Sequence, residues 1–505
     1  MKKSHPKKSE TPSQRSQEIE LKLALPTSDP TSLAKKLARS PLLARRKATH
    51  KQLHNIYYDT PEQRLHRERI ALRLRRVGSD EQPQWLQTLK TGGRSDSALS
   101  QRGEWELPVA GAELSLNALK TTPWTEIDPD GTVFRALAPC FVTTFERTSW
   151  LVRRRDGSVV EVALDIGHVE ADGKRAPICE LELELLAGKP AALFEIAQQI
   201  ATTLAVLPAN MSKAERGYAL AREGLDLPRH AQPTALSSKL PLVQTAQLVM
   251  REMLAQFTSN LNALRTSNDP EVVHQARVGW RRFKSARRLF RPILAVAAVP
   301  SWEPLQALLS CLGELRDLDV ASCETLPPLA EAYIAGDARR VLAWQAMQQA
   351  LAQAVDIQHK AVRYALQEPT VGACLLATTQ WLEGLTLLSA EVDVKVESKK
   401  SLNHWASRQV IRLHRQFQQA RHETDNPENL HRARIFAKRM RYGIESLRPV
   451  LPQKRIQRWY QQATRMQTRL GTARDVAQAG TLVAKLELDR GLVEFLRGVA
   501  VGRPA

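Results

Sequence analysis

Glu18-Ile19-Glu20-Leu21-Lys22 alternates charged and apolar side chains, and Leu23 and Leu25 carry the alternation on. In a strand successive side chains point to opposite faces, so Glu18, Glu20 and Lys22 share one face and Ile19, Leu21 and Leu23 the other. The pattern returns along the chain. Leu72-Arg73-Leu74-Arg75 sets two arginines on one face, Glu104-Trp105-Glu106 two carboxylates, and Glu180-Leu181-Glu182-Leu183-Glu184 three. Strands with charged faces of both signs suit a site that holds a polyanion together with cations.

Outward from that stretch, short alternating segments dominate as far as about Leu220. Asn55 to Thr60 reads as a strand ending in a turn at Pro61. Ala71 to Val77, Trp85 to Lys90, Gly103 to Val109, Thr143 to Arg153, Val159 to Val169 and Ile178 to Leu186 follow, separated by Gly, Asp and Pro. Helical patterns interrupt them at Thr31 to Ala38 and Ala191 to Leu204. About eight strands with a few helices fit a closed or nearly closed antiparallel barrel. If Ile19, Leu21, Leu72, Leu74, Leu181 and Leu183 face outward beneath helices, the charged faces line the lumen. Burying an unpaired ion costs several kcal/mol, so such a lumen must be wet and filled with counter-charge. Its acidic set would hold divalent cations through carboxylate oxygens. Its basic set, Lys22, Arg73, Arg75, Lys90, Arg147 and Lys213, would hold phosphate oxygens. The alternative is a sheet with a solvated charged face, whose ion pairs contribute little. Patterning alone leaves both open.

Glu18-x-Glu20-x-Lys22, Tyr57-Tyr58-Asp59-Thr60, the Leu-Arg-Leu-Arg strand, Thr88-Leu89-Lys90, Asp165, Glu180-x-Glu182 and the late Ser212-Lys213 occur in the order found in the CYTH domain. This half resembles the triphosphate tunnel metalloenzymes. The resemblance implies an eight-stranded antiparallel tunnel that binds a triphosphate and hydrolyses it with Mg²⁺ or Mn²⁺. Carried over position by position, Glu18, Glu20, Asp165, Glu180 and Glu182 would coordinate metal, with Glu104 or Glu106 also on the metal side. Lys22, Arg73, Arg75, Lys90, Arg147 and Lys213 would grip the phosphates. The catalytic set implied is Lys22, Glu104 and Glu106, with Glu184 extending the acidic face behind the ligands.

At 505 residues the chain exceeds one ordinary core, so two or more domains are expected. No run approaches the roughly 20 apolar residues that span a bilayer. Residues 1–15 are basic and polar without an apolar core, which reads as a disordered tail rather than a secretory signal. Five scattered cysteines without C-x-x-C spacing argue for a reducing, cytoplasmic setting and against a zinc site or disulfide framework. A formal net charge of +20 implies an anionic partner.

Around Asp226 to Leu240 the sequence turns to Pro, His, Gln and Ser, and beyond it helical periodicity takes over. The clearest runs are Leu242 to Leu264, Glu271 to Phe290, Trp302 to Asp317, Arg339 to Leu366, Leu402 to Arg421, Glu428 to Leu447 and Arg455 to Leu470. They repeat: His274-Gln-Ala276-Arg277 returns 157 residues on as His431-Arg-Ala433-Arg434, and Arg281-Arg282 as Lys438-Arg439. Leu312-Gly313-Glu-Leu-Arg316-Asp317 returns as Leu470-Gly471-Thr-Ala-Arg474-Asp475. His274, Arg277, Arg281, Lys284 and Arg288 step by three and four residues and so share a helix face, as do His431, Arg434, Lys438 and Arg441. Like charges at these spacings destabilise a helix by a few tenths of a kcal/mol per pair, so an anion-binding surface accounts for them better than a merely soluble one. These motifs resemble the CHAD domain, which implies two four-helix bundles with a basic groove for inorganic polyphosphate.

The fold class expected is α+β: an eight-stranded antiparallel β tunnel with helices, then an all-α domain of two repeated helical bundles. The expected boundaries are a CYTH domain over 16–222, a linker over 223–240, a CHAD domain over 241–490 (repeats about 241–400 and 401–490) and a C-terminal tail over 491–505. The function expected is hydrolysis of inorganic triphosphate with polyphosphate held by the helices. Alternatives are a class IV adenylyl cyclase, a thiamine triphosphatase, or a non-catalytic polyphosphate binder. Membrane binding is not expected, and nucleic acid is disfavoured because the basic helices lack interleaved aromatics that stack bases.

Overall fold

Nine strands of the N-terminal region make one antiparallel sheet, seen in a computed structural model. It describes residues 17–502 except 28, 79–82, 94–96, 223, 295–297, 393–400, 423–426 and 487–488, so the basic N-terminal segment lies outside the described residues. The strands are β1 (Glu18–Ala24), β2 (Ala48–Asp59), β3 (Ala71–Val77), β4 (Gln84–Lys90), β5 (Leu99–Arg102), β6 (Glu104–Val109), β7 (Ala138–Arg153), β8 (Val159–Ala171) and β9 (Lys174–Ala187). Their hydrogen-bonded order is β5-β1-β9-β8-β7-β2-β3-β4-β6.

Gly103 separates β5 from β6. A Cβ there would come within 2.4 Å of the Trp105 ring and 2.7 Å of the Thr91 hydroxyl, so a side chain at this bend would have to displace them. The bend divides one run of chain between two edges. β5 pairs with β1 (Glu18↔Arg102) and β6 with β4 (Lys90↔Glu104). The sheet curls and its two edges meet through this broken strand. Counted as one, β5 and β6 bring the number of strands to the eight expected.

Leu21, Leu23, Leu72, Leu74, Leu181 and Leu183 are completely buried on the outer side of the curl. Leu72 and Leu89 pack there with Leu119, Trp124 and Val133 from the short helical turns between β6 and β7. The charged alternates therefore face inward. At one end the inward positions turn apolar: Leu53, Tyr57, Phe141, Phe145, Val169 and Ile178 cluster with Tyr218 and Leu220 of a helix. Helices α1 (Leu33–Arg39) and α2 (Ala191–Ala201) fall where the periodicity places them, and the plugging helix is α3 (Lys213–Ala221).

The chain divides into two compact units. The first ends at Ile200 and resumes over Asn210–Leu225; the second comprises Ala201–Ala209 and everything from Asp226 on. The second is helical: α4 (Leu242–Ala263), α5 (Pro270–Phe290), α6 (Gln306–Asp319), α7 (Ala338–Ala365), α8 (Pro369–Val392), α9 (Leu402–His422), α10 (Pro427–Leu447), α11 (Gln453–Lys485) and α12 (Arg490–Gly502). The stretch read as a linker carries no helix or strand from Leu227 to Leu240, but it is pinned to α4. Arg229 N–H donates to Asn260 at 3.0 Å and Gln232 N–H to Glu252 at 2.8 Å.

Two helices depart from expectation. α8 is largely apolar, with its polar residues spread around the axis, so it shows no stripe for periodicity to detect. α12 replaces the expected C-terminal tail, because Leu492, Val493 and Leu496 bury against Trp344, Met347 and Leu351 of α7. The cores also cut across the repeat. One joins residues from Val243 through Phe417 to Met466, and the other joins Leu318 to Leu351 with Ala479 to Leu496. Neither repeat closes a core alone.

Candidate active site

Cross-strand register assembles the inward charges. Lys22 lies opposite Glu182 and Glu20 opposite Glu184 across β1 and β9, while Asp165 on β8 faces both Arg147 on β7 and Glu180 on β9. Tyr57 lies opposite Arg73 and Asn55 opposite Arg75. Ion pairs then reach across strands that do not touch. Lys90 of β4 donates to Glu18 of β1 at 2.8 Å while lying 3.1 Å from Glu104. Arg147 holds Asp165 in a two-pronged grip at 2.7 and 2.6 Å and also donates to Glu182. Such spans fit only the concave side of a curled sheet.

Lys213, the first residue of α3, is the hub. Its ammonium lies 2.6 Å from Asp165 and 2.9 Å from Glu182, also contacts Glu180, and sits over the Phe145 ring at 4.9 Å. Lys22 reaches Glu182 at 2.9 Å. Arg73 stands 3.7 Å from Glu104 and 3.8 Å from Glu106; Arg75 donates to Asn55 at 2.8 Å and lies 3.3 Å from Glu106. Every tunnel residue named from the sequence is thus brought to one interior.

Sequence reasoning missed Arg102. It donates to Glu18 at 2.8 Å and Glu20 at 2.7 Å, tying both carboxylates of the opening stretch to β5. The four-residue β5 is too short to show alternation, so nothing marked it as inward-facing.

The electrostatics follow from crowding. Burial disfavours the charged form of Lys22 and Lys213. The carboxylates of Glu182, Glu20 and Glu180 around the first, and of Asp165, Glu180 and Glu182 around the second, hold both well above the ordinary lysine range. Burial opposes ionisation of Glu182, yet Lys213, Lys22 and Arg147 hold it well below the usual carboxylate range. Glu184 goes the other way: burial and the neighbouring Glu18 and Glu104 push it up to about 7.

Carboxylate oxygens of Asp165, Glu180 and Glu182 all lie within 4.8 Å of one another. An all-oxygen set of this spacing fits a hard divalent cation, and the Lys213 ammonium among them shows that positive charge is stabilised there.

In the helical unit, cations of four helices converge. Burial and then Arg281, with Arg316 and Arg474, depress Arg277; burial and then Arg474, with Arg281, depress Arg434. Burial followed by Arg434, Arg281, Arg474 and Arg441 pushes Lys438 down to about 7. Burial and the fields of Arg281, Arg288 and Arg277 lower Lys284, and burial with Arg316 lowers His274. His431 lies exposed near the start of α10. Arg316 of α6 and Arg474 of α11 stand in the repeat but outside the surface read from the sequence; each is followed directly by an aspartate, Asp317 and Asp475.

Residues 16–218 match the CYTH domain and residues 248–484 the CHAD domain. The chain is thus a CYTH domain, a fold of metal-dependent tunnel enzymes, followed by a CHAD domain. It is 36% identical over 205 residues to the inorganic triphosphatase of Haemophilus influenzae, a match covering 40% of this chain and 55% of that protein. The chain therefore spans about half the length of that curated relative. The CHAD domain of Ricinus communis is similar at 26% identity and a TM-score of 0.45, over 55% of this chain and 90% of that one. A Hippeastrum protein described as a putative adenylyl cyclase with a dominant triphosphatase activity is similar at 19% identity and a TM-score of 0.31, over 41% and 96%. No helix among the described residues is long and apolar enough to cross a membrane.

Proposed function

We propose that the CYTH domain hydrolyses inorganic triphosphate to diphosphate and phosphate with Mg²⁺ or Mn²⁺, and that the CHAD domain binds inorganic polyphosphate, in the cytoplasm. The observation that carries the first half is the buried interior in which Lys22, Lys90, Arg147 and Lys213 are matched against Glu18, Asp165, Glu180 and Glu182, and Arg73 and Arg75 against Glu104 and Glu106. Each internal pair can be exchanged for a pair with a polyanion or a cation without leaving a charge bare in a dry site.

Arg73 and Arg75 are aimed by Tyr57 and Asn55, so they offer guanidinium forks to phosphate oxygens with little ordering still to be done. Lys22 keeps its proton because Glu182 faces it. It is placed to offer positive charge to the transferred group. Glu18, Glu20, Asp165, Glu180 and Glu182 would hold the metal. Bound there, it supplies charge neutralisation and a more acidic water. Glu104 and Glu106 orient the phosphate-binding cations Lys90, Arg73 and Arg75.

In the CHAD domain, cations of α5, α6, α10 and α11 raise one another's cost of staying charged, and a polyanion removes that cost. The repeat of α5 in α10 lays out two such rows, which suits a linear chain of phosphates.

Phosphate release from inorganic triphosphate, ATP and thiamine triphosphate, each with Mg²⁺, Mn²⁺ or chelator, tests the proposal. Metal-dependent turnover of triphosphate above the other two is expected. Preference for ATP or thiamine triphosphate would replace the substrate, and binding without turnover would make the chain a polyphosphate binder.

A further inference from the structure

Helix α3 is held by more than its own hydrogen bonds. Ser212 and Glu215 close a reciprocal capping box at its start, the Ser212 hydroxyl accepting from Glu215 N–H and the Glu215 carboxylate from Ser212 N–H. Gly217 rests on Phe141, whose ring would stand 2.1 Å from a Cβ at that position. One residue on, the Tyr218 hydroxyl donates to Asp59 Oδ2 at 2.8 Å. Asp59 is wholly buried at the end of β2, and it also accepts from Thr60 N–H at 2.7 Å, Leu65 N–H at 2.8 Å and His66 N–H at 2.9 Å. The His66 ring stacks on Tyr218 with centroids 4.1 Å apart.

This geometry has a direction. Lys213 and Gly217 are four residues apart and share the face turned toward the sheet, while Tyr218 lies about 100° further round the helix. A close approach at Gly217 fixes how near α3 comes, while Leu220 in the apolar cluster and Arg216, donating to Pro177 O at 2.7 Å, hold the helix along its length. The bond to Asp59 adds a fixed point on the side of the helix away from Lys213, because its acceptor is locked by three backbone N–H groups. A rotation of α3 would carry the Lys213 ammonium out of the cluster of Asp165, Glu180 and Glu182.

We propose that Asp59 and Tyr218 are positioning residues: their buried hydrogen bond sets the rotation of α3 and so places Lys213 among the three carboxylates. The inference rests on the proposed reading of that cluster as the reaction site, but the placement itself can be tested without turnover.

The test uses the full chain and Tyr218→Phe, which removes one oxygen and keeps the ring packing. Amine acylation followed by peptide mass spectrometry reports the exposure of Lys213, with Lys22 and Lys90 as controls in the same interior. Loss of a hydrogen bond to a charged acceptor favours local opening of α3 by about tenfold, so labelling of Lys213 rises by about that factor while Lys22 and Lys90 are unchanged. Unchanged Lys213, or equal increases at all three lysines, overturns the proposal, the second outcome meaning general loosening. If the parent turns over triphosphate, Tyr218→Phe slows it in the parent background and adds nothing in Lys213→Met; additive losses also overturn the proposal. A parent with no turnover would defeat the proposed reaction and leave the labelling result standing.

Discussion

Gly313 and Arg277 belong to different helices, and the bare α-carbon of the first admits the guanidinium of the second: a Cβ at 313 would come 2.8 Å from Arg277 Nη1. In the first repeat the Leu-Gly motif thus makes room for the arginine of the His-x-Ala-Arg motif; at Gly471 of the second, a Cβ would meet, among the described residues, only Asp475 Oδ2, at 3.9 Å. Gly313→Ala should push Arg277 aside and weaken polyphosphate binding by about two- to fivefold, while the better helix former leaves melting unchanged or higher by up to about 1 kcal/mol. Calorimetric titration beside a thermal melt separates the two effects. Unchanged affinity would remove Arg277 from the surface.

Lys438 makes binding sensitive to pH. It titrates near 7 when folded, against 10.5 for an unperturbed lysine. Between those values the unfolded chain holds the proton and the folded one does not, so stability rises with pH across that window; below about 7 the cost of the charged amine is fully present. A polyanion restores the charge. Binding near pH 8 should therefore take up a proton, and affinity should fall from about pH 7 to 9. Titration in buffers of different ionisation enthalpy reads the uptake, and Lys438→Met should abolish it.

Glu184 has the opposite sign. A carboxyl raised to about 7 favours the folded state while protonated, and that contribution fades as pH rises through 7. Glu184→Gln should stabilise the first unit by about 1–2 kcal/mol near pH 8 and have little effect near pH 4. Thermal melts at the two pH values decide it; equal shifts would mean that the carboxyl is not penalised by Glu18 and Glu104.

Glu182 answers three cations, Lys22, Lys213 and Arg147. Glu182→Gln should cost about 3–5 kcal/mol of stability, because it leaves buried positive charge under-compensated. It should also lower metal-dependent turnover by at least about a hundredfold if the carboxylate holds the cation. Added divalent cation should raise the melting point of the parent and not that of the variant. Stabilisation retained in Glu182→Gln would take this residue out of the metal set.

That Glu20 and Glu182 sit on the faces opposite Leu21 and Leu183 was legible from the period of two; that those faces turn inward came from the family resemblance, and burial of Leu21 and Leu183 on the outer side agrees with it. That step fails where strands are short or helices uniform. β5 has too few residues to alternate, so Arg102 went unread. α8 has no polar face to reveal its period, and α12 looked like a tail because the partners that bury Leu492 and Leu496 lie about 150 residues away in α7. The repeat showed which residues correspond. It gave no sign that both cores draw on both halves, since burial between distant helices leaves no local pattern.

Because the run from Leu99 to Val109 belongs to two seams at once, closure has an order in time. β1 leaves the ribosome first, yet Lys22 finds Glu182 160 positions later, and its other neighbour is the front half of the bent strand. Loop closure of that length comes late in folding. Glu18 and Glu20 meet Arg102 of β5 about halfway through the domain, but Lys22 waits for Glu182 until most of it is made, and its charge helps keep that waiting edge soluble until the ring can shut.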